Sequence, residues 1–108
     1  MPPNRIAELR SEIDEINLQI LELLNKRASV GSEIGKLQLQ HGSQIYDPQR
    51  ESQMLTALQM ANEGPFSNET INALFKEIFK ATLNLEEKEA RANFLVQRKS
   101  ADQKTVIE

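Results

Sequence analysis

Residues 5–40, RIAELRSEIDEINLQILELLNKRASVGSEIGKLQLQ, decide the fold of this chain. Aliphatic side chains recur along them at alternating steps of three and four residues, the spacing that places them on one face of an α-helix. This heptad stripe consists of Ile6, Leu9, Ile13, Ile16, Ile20, Leu23, Val30, Ile34 and Leu37. The spacing predicts one helix about 50 Å long. Because a monomer of 108 residues is too small to cover such a rod, the stripe also predicts a partner chain.

A second helix is predicted from its capping signals. Residues 41–44 (HGSQ) stop the first helix, and Asp47 and Pro48 follow as N-cap and first helical residue. Residues 62–65 (NEGP) predict the end of this second helix through a glycine C-cap and a proline stop. Its expected buried side consists of Met54, Leu55, Leu58 and Ala61.

A third helix is predicted to begin after a cap at Ser67 or Asn68 and to continue to about Ala92. Its apolar face consists of Ile71, Leu74, Phe75, Ile78, Phe79, Thr82 and Leu85. Because the periodicity is lost after Phe94, we predict a helical domain over residues 1–93 and a tail, or the start of an interdomain linker, over residues 94–108. No strand pattern is present, so the fold class is all-α: a three-helix subunit with one very long first helix.

Composition argues against several classes of function. The net charge is −3 and the basic residues are scattered, so binding to nucleic acid or to an anionic membrane is not expected. With no cysteine and a single histidine, His41, neither a disulfide nor a thiolate or histidine metal site is predicted. No apolar run forms a signal core or reaches the length of a membrane span, so we expect a cytoplasmic protein.

Arg27 occupies a position of the stripe that aliphatic residues hold elsewhere. A buried guanidinium is costly unless an anion compensates it. A ligand carboxylate would do so through two parallel hydrogen bonds, and a structural ion pair or a side chain reaching out to solvent explains the residue equally well. Gly31, Ile34 and Gln38 share the face of Arg27. A glycine inside a helix costs about 1 kcal/mol, so Gly31 indicates either space for a ligand or close helix packing.

Other polar residues stand at the ends of the second and third helices. Thr82 and Glu86 continue the face of Phe75 and Phe79, although Glu86 alone is more simply explained as a solvent-facing residue. Arg50 and Glu51 flank a positive helix terminus suited to an anion, and ordinary capping is the simpler explanation there.

Arg10 lies about 25 Å from Arg27 along one helix. The two side chains therefore cannot grip one small molecule within one chain. In an antiparallel pair of long helices, Arg10 of one subunit would approach Arg27 of the other, so that basic groups from two chains converge.

Taken together, these positions resemble the motif series of the all-helical chorismate mutases over about residues 5–90. The resemblance is fairly specific because Arg10, Arg27, Arg50 and Glu51 recur in order at the expected intervals. The matching segments are residues 9–10 (LR), 13–14 (ID), 16 (I), 23–24 (LL), 26–27 (KR), 34–36 (IGK) and 47–51 (DPQRE). Residues 64–66 (GPF), 74–81 (LFKEIFKA) and 96–99 (VQRK) look closer still to the mutase-like domains fused in front of DAHP synthase, which sense chorismate or prephenate.

The resemblance implies an intertwined homodimer with two shared active sites that convert chorismate to prephenate without any cofactor. Such a site supplies only orientation and electrostatic stabilisation. The resemblance implies that Arg27 and the partner subunit's Arg10 clamp carboxylates while Arg50 adds positive charge. It also implies that Glu51 and the backbone near Asp47 bind the ring hydroxyl and that Thr82 lies close to a carboxylate. Gly31 and Ile34 are expected to contact the substrate as well.

Two positions depart from the family pattern. The family's catalytic lysine corresponds to Gln38, and Lys36 is about 200° away around the helix. The glutamine that donates to the ether oxygen in many members corresponds to Glu86, which some members also carry. An ionised Glu86 would repel the negative charge that develops on that oxygen, whereas a protonated one would donate to it. We therefore expect weak catalysis, best at acid pH.

Three hypotheses remain open at this stage. The chain is a chorismate mutase, a catalytically inactive regulatory module that binds chorismate or prephenate for a fused DAHP synthase, or a plain helical dimerisation domain. Gln38 and Glu86 favour the second hypothesis, whereas the retained arginines favour the first. Mutase activity and ligand sensing do not exclude each other, because a weak mutase can also serve as the chorismate- or prephenate-sensing domain of a DAHP synthase.

Overall fold

The computed structural model describes the backbone of residues 3–107 and the side chains of residues 4–96. The described chain forms three helices: α1 (Pro3–Gln40), α2 (Pro48–Ala61) and α3 (Asn68–Ile107). No strand occurs within residues 3–107. The predicted all-α class and the very long first helix are therefore confirmed. Over the part of the chain that the structure describes, no helix is long and apolar enough to cross a membrane.

The chain divides into two compact units, Met1–Val30 and Gly31–Glu108. In the first unit, the described residues form one helical rod whose stripe is open to solvent. The exposed fractions of Ile6, Ile13 and Leu23 are 60%, 56% and 65%. The sequence prediction of an apolar face without a covering element inside the chain agrees with these exposures.

α2 begins as predicted and ends differently. The Asp47 side chain accepts a hydrogen bond from the Arg50 backbone N–H at 3.0 Å, and Pro48 is the first helical residue. The predicted glycine C-cap is wrong, because Asn62 is the C-cap, in an extended conformation, and its N–H donates to the Gln59 carbonyl.

Asn62 also organises the turn that follows α2. Its side-chain amide donates to the Phe66 carbonyl at 2.8 Å and to Asn68 Oδ1 at 2.9 Å, and its Oδ1 accepts from the Gly64 N–H at 3.0 Å. Gly64, with φ of +81°, serves this turn and not the end of the helix. An asparagine side chain that bonds the backbone two residues ahead is a common turn device, and it displaced the glycine cap here.

α3 begins after Ser67, whose hydroxyl accepts from the Thr70 N–H at 3.2 Å, so Ser67 is the cap of the predicted pair. The helix continues to Ile107, whereas the sequence prediction ended it near Ala92. The residues after Ala92 contain no Gly or Pro, the two residue types that strongly disfavour a helix. The loss of apolar periodicity in this segment indicated that it has no face to pack, but it did not reduce the tendency of the segment to form a helix.

Phe79 forms the buried hydrophobic core of the second unit. Its side chain is 5% exposed and is the one buried hydrophobic side chain among the described residues. The Phe75 and Phe79 rings lie 6.2 Å apart at a tilt of 53°, a favourable aromatic geometry. α2 packs against α3, and Gln59 donates to Asn72 across this contact at 2.8 Å. Met54, Leu55 and Leu58 are half-buried, whereas Ala61 and Leu74, predicted to face the core, are exposed.

Candidate functional site

Glu86 and Thr82 of α3 lie directly against two glycines of α1 in the second unit. A Cβ atom added to Gly31 would stand 2.8 Å from Thr82 Cγ2 and 3.1 Å from Glu86 Oε1. A Cβ atom added to Gly35 would stand 3.2 Å from Glu86 Cγ and 3.4 Å from Glu86 Oε2. The face of Gly31 is therefore occupied by α3, which favours close helix packing over the alternative of open space for a ligand.

Two hydrogen bonds help to define this helix pair. The Thr82 hydroxyl donates to the Ile78 carbonyl of its own helix at 2.9 Å, which helps to set the direction of its methyl group toward Gly31. The Ser32 hydroxyl donates to the Glu89 carboxylate and joins α1 to α3. Because Glu89 follows Glu86 by three residues, the two carboxylates project from the same side of α3. The result is a polar contact zone at the α1–α3 junction.

An open groove borders this zone. It is lined by Ser32, Gly35, Lys36, Leu39, Glu86, Glu89, Ala90, Ala92, Asn93 and Val96. One lysine and two glutamates thus share the same concavity. Within the described residues, no group of three or more His, Cys, Asp or Glu side chains is arranged to hold a metal ion.

Asp47, Arg50 and Glu51 form the first turn of α2. Asp47 receives the Arg50 N–H through its side chain and the Glu51 N–H through its carbonyl, at 3.0 and 3.1 Å. Arg50 is exposed and Glu51 is half-buried. The capping explanation is thus confirmed for Asp47. A ligand role for Arg50 and Glu51 stays a prediction.

The remaining predicted site residues lie in both units. Arg10 is exposed and Arg27 is half-buried in the first unit; Gln38 is half-buried and Ile34 is 50% exposed in the second. The contacts described above join Gly31, Thr82 and Glu86. Their roles toward a ligand, like those of Arg10, Arg27, Ile34 and Gln38, stay predictions.

Sequence reasoning missed three residues of the contact zone: Ser32, Gly35 and Glu89. One signal was available, because Gly31 and Gly35 are spaced by one helical turn inside a long helix, where each glycine is unfavourable. A pair of such glycines on one face indicates a close neighbour. Ser32 and Glu89 are ordinary helix-surface residues in the sequence, and only the packing of α1 on α3 distinguishes them.

Comparison with known proteins identifies the family. The family model for chorismate mutase type II matches residues 9–87. The chain therefore belongs to the chorismate mutase type II family. A solved structure of chorismate mutase (form II) from Thermus thermophilus is 54% identical with a TM-score of 0.76, and the match covers 77% of this chain and 94% of that chain.

Two curated relatives are longer proteins. The bifunctional chorismate mutase/prephenate dehydratase of Aquifex aeolicus is 36% identical over an alignment of 87 residues, and the match covers 77% of this chain and 24% of that protein. The protein of the same name from Neisseria gonorrhoeae is 38% identical over 77 residues, 71% of this chain and 21% of that protein. The chain thus spans about a quarter of the length of these relatives. Both carry prephenate dehydratase in their names, and not the DAHP synthase that the sequence resemblance singled out.

Proposed function

We propose that this chain is a chorismate mutase, which rearranges chorismate to prephenate in aromatic amino-acid biosynthesis. The observation that carries the proposal is the match to the family model over residues 9–87. The 54% identity to a chorismate mutase whose chain is 94% covered supports it. The chain also keeps Arg10, Arg27 and the Arg50-Glu51 pair, the residues expected to hold the substrate.

We propose further that the active unit is a homodimer. The large stripe residues of α1 are exposed along its length, from Ile6 at 60% to Leu37 at 49%. A soluble monomer rarely exposes a continuous apolar surface of this extent. Pairing of two long helices through their stripes would cover it and would bring the partner subunit's Arg10 toward a ligand held by Arg27. An isologous contact of this kind makes two equivalent sites.

The proposed site works by orientation and electrostatics. The reaction is pericyclic, so it requires neither a cofactor nor a covalent intermediate. Arg27 and the partner subunit's Arg10 hold the two carboxylates so that the reacting carbons meet, because guanidinium groups bind carboxylates through paired hydrogen bonds. Arg50 adds positive charge to the site, and the Glu51 carboxylate accepts a hydrogen bond from the ring hydroxyl.

The remaining roles concern the substrate rim and the ether oxygen. The backbone near Asp47 takes the ring hydroxyl together with Glu51. Thr82 contributes at a carboxylate, with Gly31 and Ile34 at the rim. Gln38 and Glu86 face the ether oxygen where negative charge develops, and neither is a cation. Loss of one preorganised donor at such a position costs about 3 kcal/mol of transition-state stabilisation, so we expect slow turnover.

The test of the proposal is the rate of chorismate loss with purified protein. We expect turnover above the uncatalysed rate that falls by about 100-fold in Arg27→Ala, because the carboxylate clamp is removed. Lys26→Ala removes a neighbouring exposed cation and should leave the rate within about twofold. Equal losses in the two variants would contradict the assigned role of Arg27. Absence of turnover in the native protein would contradict the proposed activity itself.

The protonation of Glu86 should control the pH dependence of the reaction. Measured from about pH 5 to about pH 8, the rate should fall as the pH rises, because only a protonated carboxyl donates to the ether oxygen. Glu86→Gln supplies a donor at every pH and should raise the rate near neutrality by about tenfold. The matched control is Glu87→Gln, an exposed neighbour on α3. An unchanged neutral rate in Glu86→Gln would refute this role.

A regulatory role is the second proposal. The relatives from Aquifex and Neisseria show that this domain occurs inside larger proteins, and residues 64–66, 74–81 and 96–99 carry the resemblance to the mutase-like domain of DAHP synthase fusions. In this proposal residues 1–93 sense chorismate or prephenate, and residues 94–108 begin a linker to a synthase domain. Prephenate should then raise the melting temperature even if turnover is absent.

The third hypothesis, a plain dimerisation domain, predicts different results in both experiments. Neither chorismate nor prephenate should shift the melting temperature, and no turnover should occur. The shared presence of Arg10, Arg27, Arg50 and Glu51 argues against it, because a dimer contact alone does not require basic groups at all of these positions.

A further inference from the structure

The Glu86 carboxyl lies across two glycines of α1 that are one helical turn apart. Its Oε1 atom faces Gly31, where an added Cβ would stand 3.1 Å away. Its Oε2 atom faces Gly35, where the corresponding distance is 3.4 Å. Each oxygen of the carboxyl group therefore faces a different glycine. An alanine at position 31 would press on Oε1, and an alanine at position 35 would press first on the Glu86 Cγ at 3.2 Å, the atom next to the carboxyl group.

The contact at Gly35 differs in kind from the contact at Gly31. The three nearest atoms to an added Gly35 Cβ are Cγ, Cδ and Oε2 of Glu86. At Gly31 the nearest atom is the Thr82 methyl, at 2.8 Å. Gly35 is also buried. A methyl group at Gly31 would thus disturb helix packing, whereas one at Gly35 would act first on the Glu86 side chain.

A second bond between the helices limits how far this contact can relax. Ser32 lies between the two glycines in α1, and its hydroxyl donates to Glu89, one turn after Glu86 in α3. This bond opposes separation of α1 from α3 at this level. The Glu86 side chain must therefore yield when Gly35 gains a methyl group.

We propose that Gly35 is a positioning residue that holds the Glu86 carboxyl in its place on α1, with Gly31 limiting its other oxygen. The inference rests on the proposed function, in which Glu86 faces the ether oxygen. Gly35 itself touches no reacting atom. Because Gly35 has no side chain, it leaves the space in which the Glu86 side chain takes one orientation. A hydrogen-bond donor stabilises a transition state effectively only when it is held in position beforehand.

Other charged groups line the same groove as Glu86. Lys36 of α1 and Glu89 of α3 line the groove together with Glu86. The pH profile of native protein therefore serves as the reference in every comparison, because these groups also contribute to it.

The kinetic test is Gly35→Ala. A few tenths of an ångström of displacement should lower kcat on the acid side of the profile by roughly tenfold, because a misplaced donor loses its alignment. KM should change by less than about twofold, since the substitution acts through the Glu86 side chain and not through the arginines proposed to hold the carboxylates. In the Glu86→Ala background the same substitution should leave kcat unchanged. An equal fall in both backgrounds would overturn the proposal, because Gly35 would then act through packing alone.

A thermal test is independent of turnover. Alanine is favoured over glycine in a helix, and Glu86→Ala removes the three atoms that lie nearest to the added methyl group. The change in melting temperature on Gly35→Ala should therefore be about 4 °C more favourable in the Glu86→Ala background than in native protein, at one protein concentration. Glu87→Ala provides the matched background, in which the substitution should behave as in native protein. Equal shifts in all three backgrounds would overturn the proposal.

The two measurements separate the possible failures. If native protein shows no turnover but the thermal coupling to Glu86 is present, the proposed function fails and the positioning contact stands. If native protein turns over and neither measurement couples Gly35 to Glu86, the positioning inference fails and the proposed function stands. Should Gly35→Ala alone not fold, folding of the Gly35→Ala/Glu86→Ala protein supports the proposal, and its failure to fold contradicts it.

Discussion

Two apolar helix faces of this chain, equally plain in its sequence, differ in what covers them. The stripe of α1 has Ile13 at 56% and Ile16 at 47% exposure, whereas Phe79, on the apolar face of α3, is 5% exposed. Each face repeats with the helical period. Periodicity thus identifies an apolar face and leaves open whether the same chain or another chain covers it.

The largest expected effect concerns the exposed face. Ile16→Glu should abolish the proposed dimer at micromolar concentration, because an isologous interface buries the unpaired charge twice, at a total cost on the order of 5 kcal/mol. Sedimentation velocity and the rate of chorismate loss measure the outcome. Asn17→Glu adds the same charge one residue along, off the stripe, and should leave the dimer intact. A native protein that is monomeric and folded would remove the shared-site proposal.

A smaller effect is expected for the covered face. Phe79→Ala should lower the free energy of unfolding by about 3 kcal/mol, because it deletes a buried ring that packs on Phe75. Denaturant unfolding measures it. Phe66→Ala makes the same truncation at a side chain that is 57% exposed and should cost less than about 1 kcal/mol. Similar losses at both positions would mean that Phe66 is also covered, and the contrast between the two faces would weaken.

The smallest effect belongs to the start of α2. Asp47→Ala should lower the free energy of unfolding by about 1 kcal/mol, since the Asp47 side chain accepts a hydrogen bond from the Arg50 N–H. Asp47→Asn keeps an acceptor and should cost less than half as much. If kcat/KM falls in both variants only as far as the loss of folding stability explains, Asp47 acts as a helix cap only. A larger loss of kcat/KM than of stability in both would support its proposed place beside the ring hydroxyl.

Helix positions were largely predictable because capping and periodicity are local properties. Pro48, Asp47 and Ser67 set helix starts through their own hydrogen bonds. The two errors occurred where a side chain bonded several residues ahead and where a helix continued without apolar periodicity. Asn62 bonds forward to Phe66 and Asn68 and replaces the glycine cap, and α3 continues beyond the last apolar repeat.

The candidate site was predictable in part. Glu86 and Thr82 were singled out because they continue an aromatic face, and the structure brings both against Gly31. Gly35, Ser32 and Glu89 were not predicted, since their significance depends on which residues of α3 meet α1. Family resemblance assigns a role to Arg27, which Arg27→Ala tests, and a role to Arg10 that depends on the dimer, which Ile16→Glu tests.

The amino-acid sequence was enough to predict three helices, the length of the first, and an apolar stripe that one chain does not cover. These follow from local backbone preferences and from the fixed rise and period of the α-helix. Only the tertiary structure decided that Gly31 and Gly35 meet Thr82 and Glu86, and that Ser32 bonds Glu89. The physical reason is that side-chain contacts between helices depend on their rotation and separation, which packing sets and which no local pattern encodes.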